Sequence, residues 1–368
     1  MPELDEFYMA RALQLAERGL YTTEPNPRVG CVLVRDGRII GEGWHQRAGE
    51  GHAEVEALAN VDGSAQGATA YVTLEPCSHQ GKTGPCCDAL IGGGVTRVVA
   101  AMQDPNPLVA GRGFDRMKKT GIEVKFGVME AQARALNPGF IKRMETGFPY
   151  VRIKLAMSVD GRTAMDSGES QWITGPAARS DVQKLRARSS AIITGMGTVL
   201  HDDPSMTVRA EQLGLDNSDE IVKRQPLRVV LDTHFRTPGT ANIVSGLSNT
   251  WLVGAGPIPS EAIGNAELKT IADAAGKIDL QAVLQELAAN DCNEVLVEAG
   301  AILSGAFLQA GLVDELVVYM APTLLGHMAR PLMALPGMEH MADQMKLTIQ
   351  DVRSVGDDWR INAIVRST

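Results

Sequence analysis

HAEVEALAN (52–60) and VTLEPCSHQGKTGPC (72–86) are the two stretches on which the reading of this chain turns. The first places His52 and Glu54 two residues apart at the start of a helical pattern. The second carries two Pro-Cys pairs, Pro76-Cys77 and Pro85-Cys86. A base-deaminating zinc site needs three protein ligands, an open position for water, and a glutamate that moves protons without binding the metal. His52, Cys77 and Cys86 are the candidate ligands, and Glu54 is the candidate general acid/base. The short spelling of this pattern separates its cysteines by two residues, whereas eight separate Cys77 from Cys86. The intervening Ser-His-Gln-Gly-Lys-Thr-Gly-Pro suits a loop that returns Cys86 to the same corner. Cys87, one helical step or roughly 100° further round, is read as structural. A structural zinc would usually take four protein ligands, and only three stand out. Such a site predicts that Glu54 takes the proton of an activated water and passes it to the ring nitrogen and the departing ammonia.

Outward from this centre, residues 1–147 alternate helical and strand-like segments. An amphipathic opening helix is predicted with Phe7, Ala10, Leu13 and Leu20 on one face. The loop PNPRVG (25–30) follows, then a hairpin, GCVLV and RIIGEGWH around Asp36-Gly37. ATAYVTL, TRVVAAM and IEVKFGV read as strands, and CCDALIGG and FDRMKKT as helices. Strands alternating with helices predict a sheet covered on both faces. Asn137-Pro138-Gly139 to Gly147-Phe148-Pro149 reads as a junction. Beyond it, residues 148–368 restart the alternation with YVRIKLAM, SAIITG, LRVVLD, TWLVG, EVLVEAG and LVDELVVYMAP as strands. Residues 210–225 are polar and acidic and are predicted to be a surface loop. The fold class is α/β, twice over.

The chain has 368 residues, 44% hydrophobic and 21% charged, enough for two domains that each bury a core. Its acidic, helical start lacks the basic and then unbroken apolar pattern of a signal peptide, so a cytoplasmic location is expected. A net charge of −9 and 4% aromatic residues argue against a broad nucleic-acid surface. They leave room for a small phosphorylated substrate in a local basic pocket. Five cysteines, an odd number, read as buried residues or metal ligands rather than disulfides.

The second half is less explicit. No G-x-G-x-x-G follows its first strand, so an ordinary dinucleotide fold is not supported. Val297-Glu298-Ala299-Gly300 running into Ala301-Ile302-Leu303-Ser304-Gly305-Ala306 places small residues where a helix could receive a phosphate. A plain strand-to-helix turn explains the same residues equally well.

With these motifs in hand, the chain resembles the bifunctional riboflavin biosynthesis family, the diaminohydroxyphosphoribosylaminopyrimidine deaminase / 5-amino-6-(5-phosphoribosylamino)uracil reductases. Residues 24–147 resemble its deaminase half and 149–368 its reductase half. PNPRVG, HAEVEAL (52–58), VTLEPCSHQGKTGPC, DPNPLVAGRG (104–113) and KLAMSVDGRTA (154–164) carry the likeness, and the long loop between the cysteines is one the family uses. The resemblance implies a cytidine-deaminase-like three-layer αβα domain followed by a dihydrofolate-reductase-like α/β domain. It implies zinc on His52, Cys77 and Cys86, with Asn26, His45 and Lys82 contacting the pyrimidine and its ribose phosphate. It implies NADPH lined by Ala156, Trp172, Thr198, Asp202, Thr233 and the run Gly300, Ala301, Ile302, Leu303, Ser304, Gly305 and Ala306. Ser170, Met206, Arg186, Arg209 and Glu298 would hold the ribosyl phosphate, with Met206 where a leucine is expected. The reaction the resemblance implies is hydride delivery to C1′ of the ring-opened ribose imine, with Lys154 and Asp202 as candidates for positioning or proton supply. A homo-oligomer, dimer or tetramer, is also implied. Two other readings remain: a nucleoside or nucleic-acid base deaminase with an accessory C-terminal domain, and a zinc-stabilised binding module with a degenerate site.

Overall fold

The computed structural model describes residues 2–78, 84–107, 109–246 and 248–366. The chain forms two compact units, Met1–Gly147 and Phe148–Thr368.

In the first unit the elements are α1 (Pro2–Glu17), β1 (Gly30–Arg35), β2 (Arg38–Trp44), α2 (Ala53–Ala59), β3 (Thr69–Val72) and α3 (Cys86–Gly92). β4 (Arg97–Ala100), α4 (Arg112–Lys119), β5 (Glu123–Phe126), α5 (Glu130–Leu136) and α6 (Pro138–Thr146) complete it. The sheet order is β2-β1-β3-β4-β5. β1 is antiparallel to β2 and β3, and β3, β4 and β5 run parallel. The period of two along each strand divides the core in two. Val32, Val34, Tyr71 and Val99 pack with α1, α5 and α6. Cys31, Leu33, Ala70, Val72, Val98 and Ala100 pack with α2, α3 and α4. Three layers, αβα, result. The close packing of α1 on β1 depends on Gly30, where a Cβ would lie 2.0 Å from the Ala12 carbonyl oxygen.

The rotation of α1 differs from the expected one. Leu13 is buried as expected, but Phe7 is 65% exposed and the helix stops short of Leu20; Tyr8, Met9, Ala12, Leu15 and Ala16 make up the rest of the buried face. A charge sets that rotation. The buried Asp5 carboxylate accepts from both terminal nitrogens of Arg97 (2.9 and 3.0 Å), from Lys125 (2.8 Å) and from the Tyr71 hydroxyl (3.0 Å).

The second unit contains β6 (Tyr150–Ser158), β7 (Arg162–Ala164), α7 (Pro176–Arg188), β8 (Ala191–Gly195), α8 (Met196–Asp202), α9 (Ala210–Leu213) and α10 (Ser218–Ile221). Then come β9 (Leu227–Leu231), α11 (Asn242–Ser245), β10 (Thr250–Gly254), β11 (Glu267–Thr270), α12 (Leu280–Ala289), β12 (Glu294–Val297) and α13 (Ala301–Gln309). β13 (Glu315–Ala321), β14 (Arg330–Pro331), β15 (Leu347–Val355) and β16 (Asp358–Val365) end it. The nine-stranded sheet has the order β11-β10-β9-β8-β12-β6-β13-β16-β15. Strands β11 through β13 in that order are parallel, and the β15–β16 hairpin joins antiparallel to β13. Val229, Val253, Val295 and Ile153 bury one face with α12 and α13, and Ile192, Val230, Leu252 and Leu296 bury the other with α7.

Residues 210–225, expected as a loop, hold the short helices α9 and α10, because Leu213 and Ile221 are driven inside at 0% and 1% exposure. Among the described residues no helix is long and apolar enough to cross a membrane.

Candidate active sites

His52 stands at the N-cap of α2, which carries Glu54 into the interior at 3% exposure. Cys77 follows the end of β3, and Cys86 is the first residue of α3. The ligating atoms of His52, Cys77 and Cys86 all lie within 4.8 Å of one another. His52 Nδ1 is 3.2 Å from Cys86 Sγ and 3.6 Å from Cys77 Sγ. Tetrahedral zinc bonds of about 2.0 Å to nitrogen and 2.3 Å to sulfur hold such donors about 3.5 Å apart, so the donor set fits zinc in both chemistry and spacing. The hydrogen bond shared with Cys86, and then His52, hold the Cys77 thiol down to about 4. The same shared bond pushes Cys86 far up. A divalent cation would displace that shared proton and make both sulfurs thiolates. Burial, and next the Cys77 charge, push Glu54 up to about 7. A bound cation acts on it in the opposite direction. Cys87 turns into the apolar cluster beside Leu90 and Ala53.

The His45 ring meets the His52 ring edge-on at 5.2 Å between centroids. His45 Nδ1 lies 3.0 Å from the Gly51 carbonyl, which can only accept, so the proton sits on Nδ1. Nε2 is then the acceptor for the Asn26 amide nitrogen at 3.0 Å. Burial draws the His45 pKa below its ordinary value, which keeps this neutral tautomer. Asn26 and His45 therefore arrive beside the triad as one hydrogen-bonded pair. Lys82 and His79 lie outside the described residues.

The sequence reading missed Glu75. Its buried carboxylate accepts backbone N–H groups from Asp104 (3.2 Å) and Gly111 (2.9 Å) on one oxygen, and from Gly113 (2.9 Å) and Phe114 (3.4 Å) on the other. This ties the DPNPLVAGRG segment to the strand end that carries Cys77. The approach is close enough that a Cβ on Gly113 would lie 2.1 Å from the Pro76 oxygen. The available signal was an acidic residue preceding Pro-Cys together with the glycines at 111 and 113.

The second unit holds a cavity of about 1600 Å³. Lys154 and Ala156 reach it from β6, Ser170 and Trp172 from the segment after β7, and Arg186 from α7. Thr198 and Asp202 of α8, with Met206 and Arg209 beyond it, form another wall. Thr233, Glu298, Gly300, Ala301, Ile302, Leu303 and Ala306 close it. Ser304 and Gly305 do not line it. The Ser304 hydroxyl donates to the Ala299 oxygen (3.2 Å), and a Cβ on Gly305 would lie 1.9 Å from the Ala334 oxygen.

At one end of the cavity Arg186 grips Glu298 in a two-pronged pair, Nε to Oε1 at 2.6 Å and a terminal nitrogen to Oε2 at 3.0 Å. Desolvation there draws Lys154 below the usual lysine value, against the pull of Glu298. Asp202 accepts from the Ser170 hydroxyl (3.3 Å) and the Gln171 amide (3.4 Å). Trp172 is 70% exposed, with the Arg179 guanidinium 4.6 Å from its ring centroid. Arg228 was also missed. It is buried in β9 and donates to the Ser205 oxygen (3.1 Å) and the Ser248 oxygen, so it supports the segment bearing Met206 and Arg209 from beneath.

Residues 2–102 match the family described as the cytidine and deoxycytidylate deaminase zinc-binding region, and residues 149–361 match the RibD C-terminal domain. The riboflavin biosynthesis protein RibD of Escherichia coli (strain K12) is 54% identical over 359 residues, covering 96% of this chain and 97% of the relative. The chain belongs to the RibD family. The RibD of Bacillus amyloliquefaciens is 41% identical over 98% of this chain and 96% of its own length. Among solved structures, form 1 of Acinetobacter baumannii RibD superposes with a TM-score of 0.93 at 48% identity over 100% of both chains. The Thermotoga maritima diaminohydroxyphosphoribosylaminopyrimidine deaminase / 5-amino-6-(5-phosphoribosylamino)uracil reductase superposes at 0.87 and 31% identity over 99% of both. The RibD match of the second half disfavours a nucleoside or nucleic-acid deaminase with an accessory domain.

Proposed function

We propose that the chain is a bifunctional riboflavin biosynthesis enzyme with both half-reactions carried by the residues named above. The first is hydrolytic deamination of 2,5-diamino-6-(5-phosphoribosylamino)pyrimidin-4-one. The second is reduction of the ribosyl group of 5-amino-6-(5-phosphoribosylamino)uracil to ribityl with NADPH. The observation that carries the reading is the His52–Cys77–Cys86 triad beside a buried Glu54, in one chain with a RibD C-terminal domain.

His52, Cys77 and Cys86 would hold the zinc, which when bound supplies Lewis-acid activation of water at neutral pH. Glu54 accepts the proton of the attacking water on its carboxylate and passes it to the ring nitrogen, then carries the proton of the newly added hydroxyl to the leaving amine, so that ammonia departs. Its buried position excludes bulk water as a competing acid. Asn26 presents its remaining amide hydrogen and its carbonyl oxygen to the ring, because one N–H is already given to His45.

In the second unit NADPH, when bound, supplies the hydride. Ala156, Trp172, Thr198, Asp202, Thr233 and the helix start at Gly300–Leu303 line its place, with Ala306 one turn further. Arg209 offers a guanidinium fork suited to the ribosyl phosphate, Arg186 adds the positive charge of a guanidinium whose fork is held and oriented by Glu298, and Ser170 and Met206 border the substrate. Lys154, drawn to a lower pKa in a dry corner, is suited to hand a proton to the developing ribityl amine. Asp202 positions the Ser170 and Gln171 side chains. A net charge of −9 argues against a broad nucleic-acid surface and leaves room for a small phosphorylated substrate in a local basic pocket. Family resemblance supports a cytoplasmic homo-oligomer, which sedimentation of the purified protein would check.

The test is a coupled assay on zinc-replete protein with the diaminopyrimidinone ribosyl phosphate and NADPH, reading ammonia and nicotinamide absorbance together. Ammonia release preceding NADPH loss is expected. Ammonia without NADPH loss refutes the second half of the reading, and silence in both refutes the substrate.

A further inference from the structure

Asn137 opens the stretch that the sequence suggests is only a junction. It is 5% exposed and stands at once at the C-cap of α5 and the N-cap of α6. An asparagine at an N-cap ordinarily turns its side-chain oxygen onto the first backbone N–H groups of its helix. Here α6 receives no such bond. The Asn137 side chain reaches instead across 109 residues to the backbone of Arg28: Oδ1 accepts from the Arg28 N–H at 2.8 Å, and Nδ2 donates to the Arg28 oxygen at 2.9 Å. The Arg28 guanidinium returns the contact, donating to the Leu136 oxygen at the end of α5 at 2.8 Å. A side-chain amide thus pairs with one residue as a neighbouring strand would, and satisfies both of its buried backbone groups.

What hangs from that residue is the substrate side of the first unit. Asn26 lies two residues before Arg28, with its own N–H on the Thr23 oxygen (2.8 Å) and its amide on His45. Val29, directly after Arg28, accepts the backbone N–H of His45 at 2.9 Å. The segment carrying Asn26 and the backbone of His45 are therefore both tied to a point that α5 and α6 fix from outside the local sequence.

We propose that Asn137 is a positioning residue for deamination, acting through Arg28 to hold Asn26 and His45 against the pyrimidine. This rests on the substrate role given to Asn26 and His45 above. The zinc ligands come from α2, the end of β3 and α3, none of which Asn137 touches through these bonds. Its removal should displace the ring-holding pair and leave the metal in place.

The experiment is a double-mutant cycle on the full chain: Asn137→Ala, Asn26→Ala and the double variant, each assayed for ammonia release, bound zinc, and NADPH oxidation with the deaminated intermediate supplied directly. Displacing a substrate contact by about an ångström costs on the order of 10- to 100-fold in rate. Asn137→Ala should therefore lower kcat/KM for ammonia release on that order while zinc stays at the wild-type ratio and NADPH oxidation is unchanged. In the Asn26→Ala background the second substitution should add less than about twofold, since coupled residues are not additive. Should Asn137→Ala not fold, Asn137→Asp keeps the size and the acceptor for the Arg28 N–H but sets a carboxylate oxygen against the Arg28 carbonyl in place of the donor, and should show the same coupling. Losses that multiply, or zinc that falls in step with activity, would make Asn137 merely structural and overturn the proposal. An Asn26→Ala protein that deaminates normally would remove the substrate role of Asn26 and this inference with it. A damaged Asn26→Ala beside a normal Asn137→Ala removes the clamp alone.

Discussion

Substituting Glu75 by glutamine changes one atom of the side chain and tests how the DPNPLVAGRG segment is held. The carboxylate offers two oxygens to four backbone donors, Asp104 and Gly111 on one, Gly113 and Phe114 on the other. An amide keeps one oxygen and turns hydrogens toward the donors of the other, so at least two N–H groups lose their acceptor in a site only 3% exposed. Each bond to a charged group contributes about 1.5–3 kcal/mol net, so two losses come to about 3–6 kcal/mol. For a unit near 150 residues this lowers the midpoint by on the order of 10 °C. Thermal inactivation can be followed separately in one sample, as ammonia release for the first unit and NADPH oxidation for the second. The midpoint for ammonia release should drop by that amount while the midpoint for NADPH oxidation stays within a degree or two. Equal midpoints in wild type and Glu75→Gln would show that the four donors find other partners, and the account of this carboxylate would be wrong.

Gly30→Ala places a methyl 2.0 Å from the Ala12 oxygen and must lift α1 from the sheet. Urea unfolding should show a loss of about 1–3 kcal/mol or more. Asp5 is held well below the ordinary carboxylate range by its Arg97 bonds first, against burial and with help from Lys125 and Tyr71. Its folded value lies below its unfolded one, so its contribution is fully present above about pH 4 and fades as pH falls through the folded value. Asp5→Asn should therefore be less stable than wild type at pH 7, by on the order of 2 kcal/mol, with the gap closing in acid unfolding below pH 4. Arg186→Lys replaces the fork on Glu298 by a single ammonium. It should raise KM for the ribosyl phosphate in NADPH oxidation about tenfold or more and leave ammonia release unchanged.

The candidate metal site was legible before the fold. His52, Glu54 and the two Pro-Cys pairs are spelled locally, and the fold only had to bring three short segments to one corner. The strands were legible for the same reason, since runs such as β1 and β8, buried along almost their whole length, are written as consecutive apolar residues. What escaped depends on distant partners. Phe7 reads as a core residue until Arg97 and Lys125, some ninety residues or more away, claim Asp5 and turn the helix. Asn137 reads as a helix boundary until Arg28 takes its amide. The β15–β16 hairpin gave no alternation to read because β15 is exposed or half-exposed along its length. Ser304 and Gly305 are grouped with their neighbours by the family resemblance; Ser304 bonds to the Ala299 oxygen and Gly305 packs on Ala334, while Ala301, Ile302 and Ala306 line the cavity. Their grouping was a matter of register, which a run of small residues does not encode.

The central claim is that Glu54 moves the protons of a zinc-dependent deamination that precedes reduction in the same chain. Glu54 shares a hydrogen bond with Cys86 but is not one of the three candidate ligands, and Glu54→Gln keeps the shape of the buried side chain, so bound zinc should remain at the wild-type ratio. The decisive measurement is ammonia release by this variant alongside its zinc content and its oxidation of NADPH on the deaminated intermediate. Ammonia release reduced by a factor of at least about 100, with zinc and intermediate-dependent NADPH oxidation intact, is the expected result. Ammonia release at the wild-type rate with zinc bound would contradict it.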